Sequence, residues 1–353
     1  MSRFLSSRLS SLTPYTPGEQ PKDAKYIKLN TNESPFPPSP KAVEAASLAA
    51  RRLELYSDPE CTALTEAVAK NLGVDTAELL LTNGSDEILN FAFMAFCDET
   101  HPAVFPDITY GFYPVFAKVN HLPYEEIPLK DDFSISVRDY LSLDKTIFIA
   151  NPNAPTGLML PKSDIEKILK SNPDSVVVVD EAYVDFGGES AVSLIRRYDN
   201  LLVTRTFSKS RSMAGARLGF GVGNPHLIRD LITIKYSTNP YNVNSMTQAA
   251  GFGTMADEEY TLKNCRTIIE NRAYTIEALR ALGFTVTDSR ANFVFCMHPA
   301  LPGDTLYKKL RQKGILIRHF TNPKIVDYNR ITIGTKKEME TLLSAVSDIL
   351  EGK

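Results

Sequence analysis

The 353-residue sequence has few residues of the kinds that build metal or disulfide sites, and it has no long apolar run. Its four cysteines, Cys61, Cys97, Cys265 and Cys296, stand far apart and form no C-x-x-C pair. Such spacing supports neither a zinc site nor a disulfide framework, and it fits a reducing cytoplasm. The five histidines are equally scattered, so we expect no metal site. No apolar segment approaches the length needed to span a bilayer.

An excess of charge of one sign is also missing. The formal net charge of −3 gives no broad attraction to nucleic acid or to acidic membranes, so we expect neither as a partner. A small polar substrate is the better expectation. The length exceeds what one compact core usually holds, which favours two domains.

The N-terminal segment MSRFLSSRLSSL contains Arg and Ser but no acids, a composition compatible with a transit peptide. The prolines that follow, Pro14, Pro17 and Pro21, favour instead an extended arm laid over a surface, which we assign to residues 1–30. The proline-rich stretch NTNESPFPPSP then leads from this arm into the fold.

From about Ala63 the pattern alternates between helices and short apolar strands. The runs IFIA and VVVV are continuously apolar, which is typical of strands covered on both faces. Strands separated by helices predict a mostly parallel sheet, in which ligands bind at the carboxyl ends of the strands. The strand candidates are residues 79–81, 103–105, 146–150, 175–179, 201–206 and 218–222.

The character of the chain changes after about Asn271, where a long helix through Leu282 ends at Gly283. We therefore predict a large α/β domain over residues 31–255, whose residues 31–55 connect to the other domain, and a small α+β domain over residues 256–353. The predicted strands of the small domain are FTVT, NFVFCM, ILIRH and RITIG, and its later helices are TLYKKLRQKG and KEMETLLSAVSDIL.

A carboxylate and an anion cradle follow two of the predicted strands. Asp180 ends the strand SVVVVD, where a buried carboxylate needs a cationic partner or water, although a strand-end Asp is often only a cap. Ser85 and Asp86 begin a helix, whose free N–H groups together with the Ser85 hydroxyl bind anions. A plain N-cap is the common alternative, and Asp86 would repel a phosphate unless its side chain turned away.

The stretch TRTFSKSRSMAGARLGF places Lys209 after a strand that ends in hydroxyls, among them Thr206 and Ser208, and places Arg217 eight residues later. A solvated lysine in a turn is the simpler reading of Lys209 alone. However, lysine forms a Schiff base with an aldehyde, and the arginine fork binds phosphate oxygens. An aldehyde, a phosphate and a ring nitrogen paired with an aspartate together describe pyridoxal phosphate.

These segments resemble the signatures of the fold-type I pyridoxal-phosphate aminotransferases. TRTFSKSRSMAGARLGF is similar to their cofactor-lysine signature, and VVVVDEAYVDF and NPNAPTG are similar to their other two hallmarks. Within that group, the histidinol-phosphate aminotransferases are most similar, over nearly the whole chain. The resemblance implies a large domain with a mostly parallel seven-stranded sheet between helices, and it implies pyridoxal 5'-phosphate as cofactor. The segments that carry it are PYTPG, LNTNESPFPPSP, YSDPE, TNGSDE, GILIRHF and YNRITIGT.

The resemblance also implies a role for each matching residue. Lys209 holds the cofactor and moves the substrate proton, Asp180 keeps the ring nitrogen protonated, Tyr183 bonds the phenolic oxygen, and Tyr110 stacks on the ring. The cofactor phosphate is bound by Ser85, Thr206, Ser208 and Arg217, and by Tyr56 from the second subunit of a homodimer. Asp86, beside Ser85 at the helix start, is a further cofactor-binding residue. The substrate is bound by Arg330, Arg318, Asn32 and, from the arm, Tyr15.

One position departs from the family pattern, in which an asparagine stands directly before P-T-G and bonds the phenolic oxygen. Here that position is Ala154. Either Asn153 or Asn151 supplies the amide from a shifted place, or Tyr183 acts alone.

The implied reaction is amino transfer between histidinol phosphate and 2-oxoglutarate in histidine biosynthesis. An aromatic amino-acid aminotransferase and a lyase like threonine-phosphate decarboxylase remain as alternatives of the same fold. A non-catalytic regulatory protein is disfavoured because Lys209, Asp180 and Arg217 are all present. The segment GFGVGN resembles a dinucleotide fingerprint, but its third glycine, Gly223, comes one place early, so we interpret the segment as a strand of small residues.

Overall fold

The structure is a computed structural model, and it describes residues 2–9 and 12–352. Apart from short 3-10 turns, the described residues form ten helices and thirteen strands. The helices are α1 (Pro40–Ala49), α2 (Thr62–Leu72), α3 (Ser85–Phe96), α4 (Tyr113–Val119), α5 (Lys162–Ser171), α6 (Pro225–Thr238), α7 (Ser245–Met255), α8 (Glu258–Ala281), α9 (Gly303–Gln312) and α10 (Lys336–Leu350). The strands are β1 (Ile27–Lys28), β2 (Leu79–Thr82), β3 (Ala103–Pro106), β4 (Tyr124–Ile127), β5 (Thr146–Ala150), β6 (Val177–Asp180), β7 (Leu201–Thr206), β8 (Gly219–Gly223), β9 (Thr285–Val286), β10 (Phe293–Met297), β11 (Ile315–Leu316), β12 (Arg318–His319) and β13 (Asn329–Thr332).

Seven strands form the large sheet in the order β2-β8-β7-β6-β5-β3-β4. All neighbours are parallel except β8, which runs antiparallel to both β2 and β7. The expectation of a mostly parallel seven-stranded sheet is confirmed, and GFGVGN is a strand, as interpreted. The individual strand predictions missed β4, because its sequence YEEI lies at the edge of the sheet, half exposed, and carries no apolar run.

The central strands are buried on both faces, as their apolar runs predict. In β5, Ile147 and Ile149 pack into one core with residues of α2 and α5. Phe148 and Ala150, which alternate with them, pack into the opposite core with residues of α3 and α6. Because successive side chains of a strand point to opposite faces, helices on both sides are needed to cover such a run.

The second sheet is antiparallel, with the order β12-β13-β10-β9. The segment ILIRH, predicted as one strand, is in fact split: β11 pairs in parallel with β1 from the arm, whereas β12 pairs with β13. The division arises because Ile27 of the arm takes the hydrogen-bonding edge beside Ile315. The domain boundary placed at residues 255 and 256 stays a prediction; it falls between the end of α7 and the start of α8.

The described residues contain no helix long and apolar enough to cross a membrane. They also contain no group of three or more His, Cys, Asp or Glu residues arranged to hold a metal ion. The four cysteines are buried and free, and burial raises the pKa of the Cys296 thiol to about 12. That thiol is therefore protonated, and unreactive, at neutral pH.

The ends of β2, β6 and β7 meet at one edge of the large sheet. Gly219, the first residue of β8, pairs with Thr82 on one side and with Thr206 on the other, so β2 and β7 end level with each other. A Cβ atom at Gly219 would lie 2.4 Å from the backbone nitrogen of Ser85. The start of α3 is therefore packed directly against the sheet edge where Asp180 and Thr206 end their strands.

Candidate active site

Two adjoining cavities lie at this edge. The first has a volume of about 450 Å³ and the second about 420 Å³, and they share Tyr110, Tyr183 and Lys209. Most of the residues predicted from the sequence line one of them. The first cavity adds Ser85, Asp86, Asp180, Thr206, Ser208 and Arg217, and the second adds Tyr15, Asn32, Arg318 and Arg330.

Lys209 extends from the loop after β7 into the wall between the cavities. Its Nζ donates a hydrogen bond to the backbone oxygen of Thr31 at 3.2 Å. Burial, followed by the nearby Arg330 guanidinium, lowers the pKa of Lys209 to about 8. A lysine with such a pKa is partly neutral near physiological pH, and the neutral amine is the nucleophilic form.

Asp180 is a buried carboxylate whose described partners carry no charge. The hydroxyls of Tyr113 and Thr204 each donate to it at 3.2 Å, and the backbone of Ala182 contributes a further hydrogen bond. Burial raises the pKa of Asp180 to about 6, although the two hydroxyls oppose the rise. Among the residues that the structure describes, none supplies the cationic partner expected from the sequence. A cation in the first cavity would complete this environment.

Tyr183 lies between the two cavities, and its ring packs edge-on against Phe293 with the ring centres 5.1 Å apart. Its hydroxyl accepts a hydrogen bond from Nδ2 of Asn32 at 2.9 Å. Burial raises the pKa of Tyr183, opposed by Arg330 and by the hydrogen bond from Asn32. The hydroxyl is therefore neutral and able to donate.

The start of α3 is shaped to receive an anion. Its cap residue is Gly84, which has a φ of 77° and makes no side-chain capping bond, so the first N–H groups of the helix remain free. Arg217 reaches this point and pairs with Asp86 at 2.7 Å, while the Tyr110 hydroxyl donates to the same carboxylate at 2.6 Å. The Asp86 side chain is thus directed toward Arg217 and Tyr110, and Arg217 offsets its charge.

Two arginines meet in the second cavity. Arg318 and Arg330 are direct partners in the antiparallel register of β12 and β13, so their side chains leave the same face. Arg330 donates to the backbone oxygen of Asn30 at 3.0 Å, yet none of the described residues accepts a hydrogen bond from its buried Nε. Arg318 donates to the backbone oxygens of Thr16 and Pro17 in the arm, at 3.1 and 3.3 Å. A buried guanidinium with an unused donor is suited to an anionic ligand.

The arm closes one side of the second cavity. The ring of Tyr15 packs on Phe112, with 4.3 Å between the ring centres. Together with the contacts of Arg318, this packing places Tyr15 beside the arginines in the lining of the second cavity. Its role in covering the substrate stays a prediction.

Sequence comparison assigns a family to this arrangement. Residues 24–346 match the family model described as aminotransferase class I and II. The chain belongs to that family. The cavities described above are therefore the candidate active site of an aminotransferase.

Curated relatives match this aminotransferase over nearly its full length. Histidinol-phosphate aminotransferase of Brachyspira hyodysenteriae is 48% identical, and the alignment covers 99% of this chain and 100% of that protein. Histidinol-phosphate aminotransferase 2 of Dechloromonas aromatica is 49% identical, with 99% of each chain covered.

Solved structures share the fold. Histidinol-phosphate aminotransferase of Sinorhizobium meliloti, in complex with pyridoxal-5'-phosphate, superposes with a TM-score of 0.88 at 22% identity, covering 100% of this chain and 99% of that one. The enzyme of the same name from Clostridium acetobutylicum gives a TM-score of 0.85 at 24% identity, covering 93% and 100%. At these identities the likeness shows the architecture of the aminotransferase alone.

The asparagines near Ala154 do not reach the cavities. Asn153 donates to the backbone oxygen of Ile108 at 2.9 Å and accepts from the Thr109 hydroxyl at 2.7 Å. The amide of Asn151 is bonded on both sides to the backbone of Leu160. Both amides hold their own loop in shape, so neither is placed to replace the family asparagine. The amide that faces Tyr183 is instead that of Asn32.

Tyr56 is the other predicted residue that lies outside both cavities. Its side chain is 83% exposed, and its ring stacks on Tyr241 at a centre-to-centre distance of 4.5 Å. Tyr56 therefore does not line the site of its own chain, and the predicted contact with a cofactor phosphate calls for a second subunit.

The structure adds four residues to the site that the sequence did not single out for these roles. Tyr113 and Thr204 hold Asp180, Thr31 accepts from Lys209, and Glu33 lines the first cavity. Thr31 and Glu33 belong to the segment NTNESP, which is part of the family resemblance. Thr204 is a hydroxyl residue that follows an apolar run, so the sequence weakly indicates that each of the three lies near the site. Tyr113 carried none, because an aromatic residue of a helix is most often part of a core.

Proposed function

We propose that this protein transfers the amino group of L-histidinol phosphate to 2-oxoglutarate, forming imidazole acetol phosphate and L-glutamate in histidine biosynthesis. The observation that carries the proposal is that one cavity contains Lys209, whose pKa is lowered, and the buried Asp180, which has no charged partner among the described residues. The names of the curated relatives support the choice of substrate. These names do not favour the rival aromatic aminotransferase and decarboxylase activities.

The residues of the first cavity fit pyridoxal 5'-phosphate. Lys209 offers an amine to its aldehyde, Asp180 a carboxylate to its ring nitrogen, and Tyr183 a hydroxyl to its ring oxygen. The free N–H groups at the start of α3, with Arg217, suit the phosphate. Ser85, Thr206 and Ser208 add hydroxyls from the same wall.

Each side chain then has one task in the reaction. The bound cofactor supplies an electron-withdrawing ring that stabilises negative charge on the substrate carbon. The amine of Lys209 takes the proton from that carbon and returns it, which suits a pKa of about 8. Asp180 would keep the ring nitrogen protonated through its negative charge, and Tyr110, in the lining of the same cavity, would hold the ring.

The second cavity binds the anionic end of the substrate. Arg318 and Arg330 together accept the α-carboxylate of glutamate or the phosphate of histidinol phosphate, because guanidinium forks bind either group. Asn32 adds an amide to the same wall. Tyr15 covers the entrance and excludes water from the reacting atoms.

We propose that the enzyme is a cytoplasmic homodimer in which Tyr56 contacts the cofactor phosphate of the partner subunit. The exposed surface around Tyr56 supports this arrangement, since Leu53, Leu55 and Tyr241 are also large, apolar and about half exposed. Apolar surface of this kind commonly marks a protein–protein contact.

The half-reactions test the activity directly. Glutamate added to the cofactor-loaded protein should convert the cofactor to its amine form, which is seen as a loss of its visible absorbance. After removal of glutamate and addition of pyridoxal phosphate, histidinol phosphate should give the same change, and aromatic amino acids should give it far more slowly. Faster conversion by an aromatic amino acid, or release of carbon dioxide without the amine form, would replace the proposal by one of its rivals.

A further inference from the structure

Asn32 is a buried residue at the wall of the second cavity, and its side-chain amide contacts Tyr183. It is 1% exposed, and its φ of 57° lies in the left-handed region that asparagine tolerates better than most residues. Its Nδ2 donates to the Tyr183 hydroxyl at 2.9 Å. Tyr183 is the residue proposed to bond the ring oxygen of the cofactor, and the orientation of the Asn32 amide determines where the Tyr183 hydroxyl can point.

The hydrogen bonds around Asn32 fix that orientation. The backbone N–H of Asn32 donates to the Thr332 hydroxyl at 3.0 Å, so the hydrogen of that hydroxyl is free to donate to Oδ1 of Asn32 at 3.1 Å. The side-chain amide of Asn292 holds the backbone oxygen of Asn32 at 3.0 Å. With Oδ1 bound to Thr332, Nδ2 is the group left to face Tyr183.

The consequence concerns the hydrogen of the tyrosine. Because Tyr183 accepts from Asn32, its own hydrogen must point elsewhere, and the first of the two cavities that Tyr183 lines is open to it. The neighbouring Ala154 lines the same cavity, and its methyl group has nothing to donate. The amides of Asn151 and Asn153 are used within their own loop. Tyr183 would therefore donate to the ring oxygen without a second donor from an amide of the loop around Ala154.

We propose that Asn32 is a positioning residue that directs the Tyr183 hydroxyl onto the ring oxygen of the cofactor, and that it thereby compensates for the alanine at position 154. The proposal rests on the proposed function, because it requires pyridoxal phosphate in the first cavity. Asn32 acts through Tyr183 and touches no reacting atom in this role.

A spectroscopic titration reports on this hydrogen bond. A donor to the ring oxygen stabilises negative charge on that oxygen. The oxygen then attracts the proton of the nitrogen that joins Lys209 to the cofactor less strongly, so the pKa of this nitrogen falls. Loss of the donor therefore raises the pH midpoint at which the visible absorbance of the bound cofactor changes. For one neutral hydrogen bond, we expect an upward shift of about half a pH unit to one unit.

The decisive variant is Asn32→Gly, because glycine adopts the left-handed backbone without strain. Tyr183→Phe removes the hydroxyl itself, and Asn32→Gly is also measured in that background. Asn271→Ala is the matched control, since Asn271 is an equally buried asparagine of α8 that donates to the backbone oxygen of Gly334. Thr332→Val offers a second route, because it keeps Asn32 and removes the hydroxyl that fixes its amide.

The expected pattern is an upward shift in Asn32→Gly, Thr332→Val and Tyr183→Phe, no shift in Asn271→Ala, and no further shift when Asn32→Gly is added to Tyr183→Phe. Introducing Ala154→Asn into Asn32→Gly should return the midpoint toward that of the parent protein. A parental midpoint in both Asn32→Gly and Thr332→Val, or an unchanged Asn32→Gly effect in the Tyr183→Phe background, overturns this inference alone. A parent protein that binds no pyridoxal phosphate overturns the proposed function together with it.

Discussion

Arg318 and Arg330 face each other across β12 and β13 as a directly paired couple of like charges. Like charges in this position repel, and burial already lowers the pKa of Arg330. The backbone oxygens of Thr16, Pro17 and Asn30 relieve part of this repulsion. An anion between the guanidinium groups would relieve more of it, and we therefore propose that this pair accepts both acidic substrates.

Replacement of Arg318 and replacement of Arg330 should have different effects on kcat/KM for the two substrates. Loss of a charge-assisted contact with a buried anion costs roughly 2–5 kcal/mol, so Arg330→Ala should depress kcat/KM for glutamate and for histidinol phosphate alike. Arg318→Ala should affect the phosphate substrate more, because phosphate carries more charge and more oxygens. Steady-state kinetics of both variants with both substrates checks this, with Lys313→Ala on the α9 to β11 connection as a control for lost positive charge. Intact glutamate turnover in Arg330→Ala would place the anion site elsewhere.

The lowered pKa of Lys209 predicts how the protein takes up its cofactor. Because the neutral amine attacks the aldehyde, the rate of covalent loading should rise with pH and level off above about 8, rather than continuing toward the ordinary value of 10.5. Borohydride should then fix the cofactor on Lys209, as peptide mapping would show. Lys209→Ala should still bind the cofactor through phosphate contacts but retain no label. A label on another lysine would refute the assigned role.

Asp180→Asn should have opposite effects on the empty and the loaded protein. The pKa of Asp180 is about 6 in the fold against 3.8 ordinarily, so between these values the folded chain holds a proton that the unfolded chain has lost. The free energy of unfolding of the cofactor-free protein therefore falls as pH rises from about 4 to 6. Above that range the full loss of stability caused by the buried Asp180 charge is present. At pH 8, cofactor-free Asp180→Asn should be more stable than the parent by on the order of 1–3 kcal/mol, yet release the cofactor faster.

Urea unfolding and cofactor dissociation rates measure the two effects. Asp185→Asn is the matched control. Asp185 is also buried, but it pairs with Arg205, which holds the pKa of the Asp185 carboxyl below its ordinary value. That variant should be less stable than the parent at the same pH. If cofactor-free Asp180→Asn were also less stable, the carboxylate would have a stabilising partner in solution, and its role toward the ring nitrogen would need revision.

Mixed dimers test the contribution of Tyr56. Lys209→Ala and Tyr56→Ala should each be defective alone as homodimers. A hybrid of the two contains one site that combines Lys209 from one chain with Tyr56 from the other, and activity should reappear when the variants are refolded together. If Tyr56 acts within its own chain or not at all, mixing should restore nothing beyond the activity of the separate variants.

The sequence predicts those parts of the fold that depend on local pattern. The runs in β5 and β6 are apolar throughout because both faces are covered, and this is visible without a structure. The edge strand β4 and the division of ILIRH into β11 and β12 depend on which partner takes each edge. Such pairing is a long-range choice, and the residues Tyr124–Ile127 carry no local mark of it.

The same limit applies to the site. Lys209, Asp180 and Arg217 lie in segments whose chemistry and resemblance identify them, and the structure brings all three to one cavity. The partnership of Asn32 and Tyr183 spans 151 residues of sequence, and no spacing rule connects them. The resemblance pointed to the loop around Ala154 as the source of the amide, where the asparagines instead close their own loop. Direction of a side chain, unlike its identity, is fixed by tertiary packing.

The close contact of Gly219 with the start of α3 sets a mechanical tolerance for the whole site. With 2.4 Å between the Ser85 nitrogen and the place a Cβ atom would take, even the smallest side chain at position 219 must push the helix start or the strand aside. Because Gly219 also pairs with the ends of β2 and β7, such a push would misalign the phosphate cradle relative to Lys209. The distance between the phosphate and the aldehyde of the cofactor is fixed by its covalent structure. The lack of a side chain at Gly219 therefore sets the distance between the phosphate cradle and Lys209 that the cofactor must match.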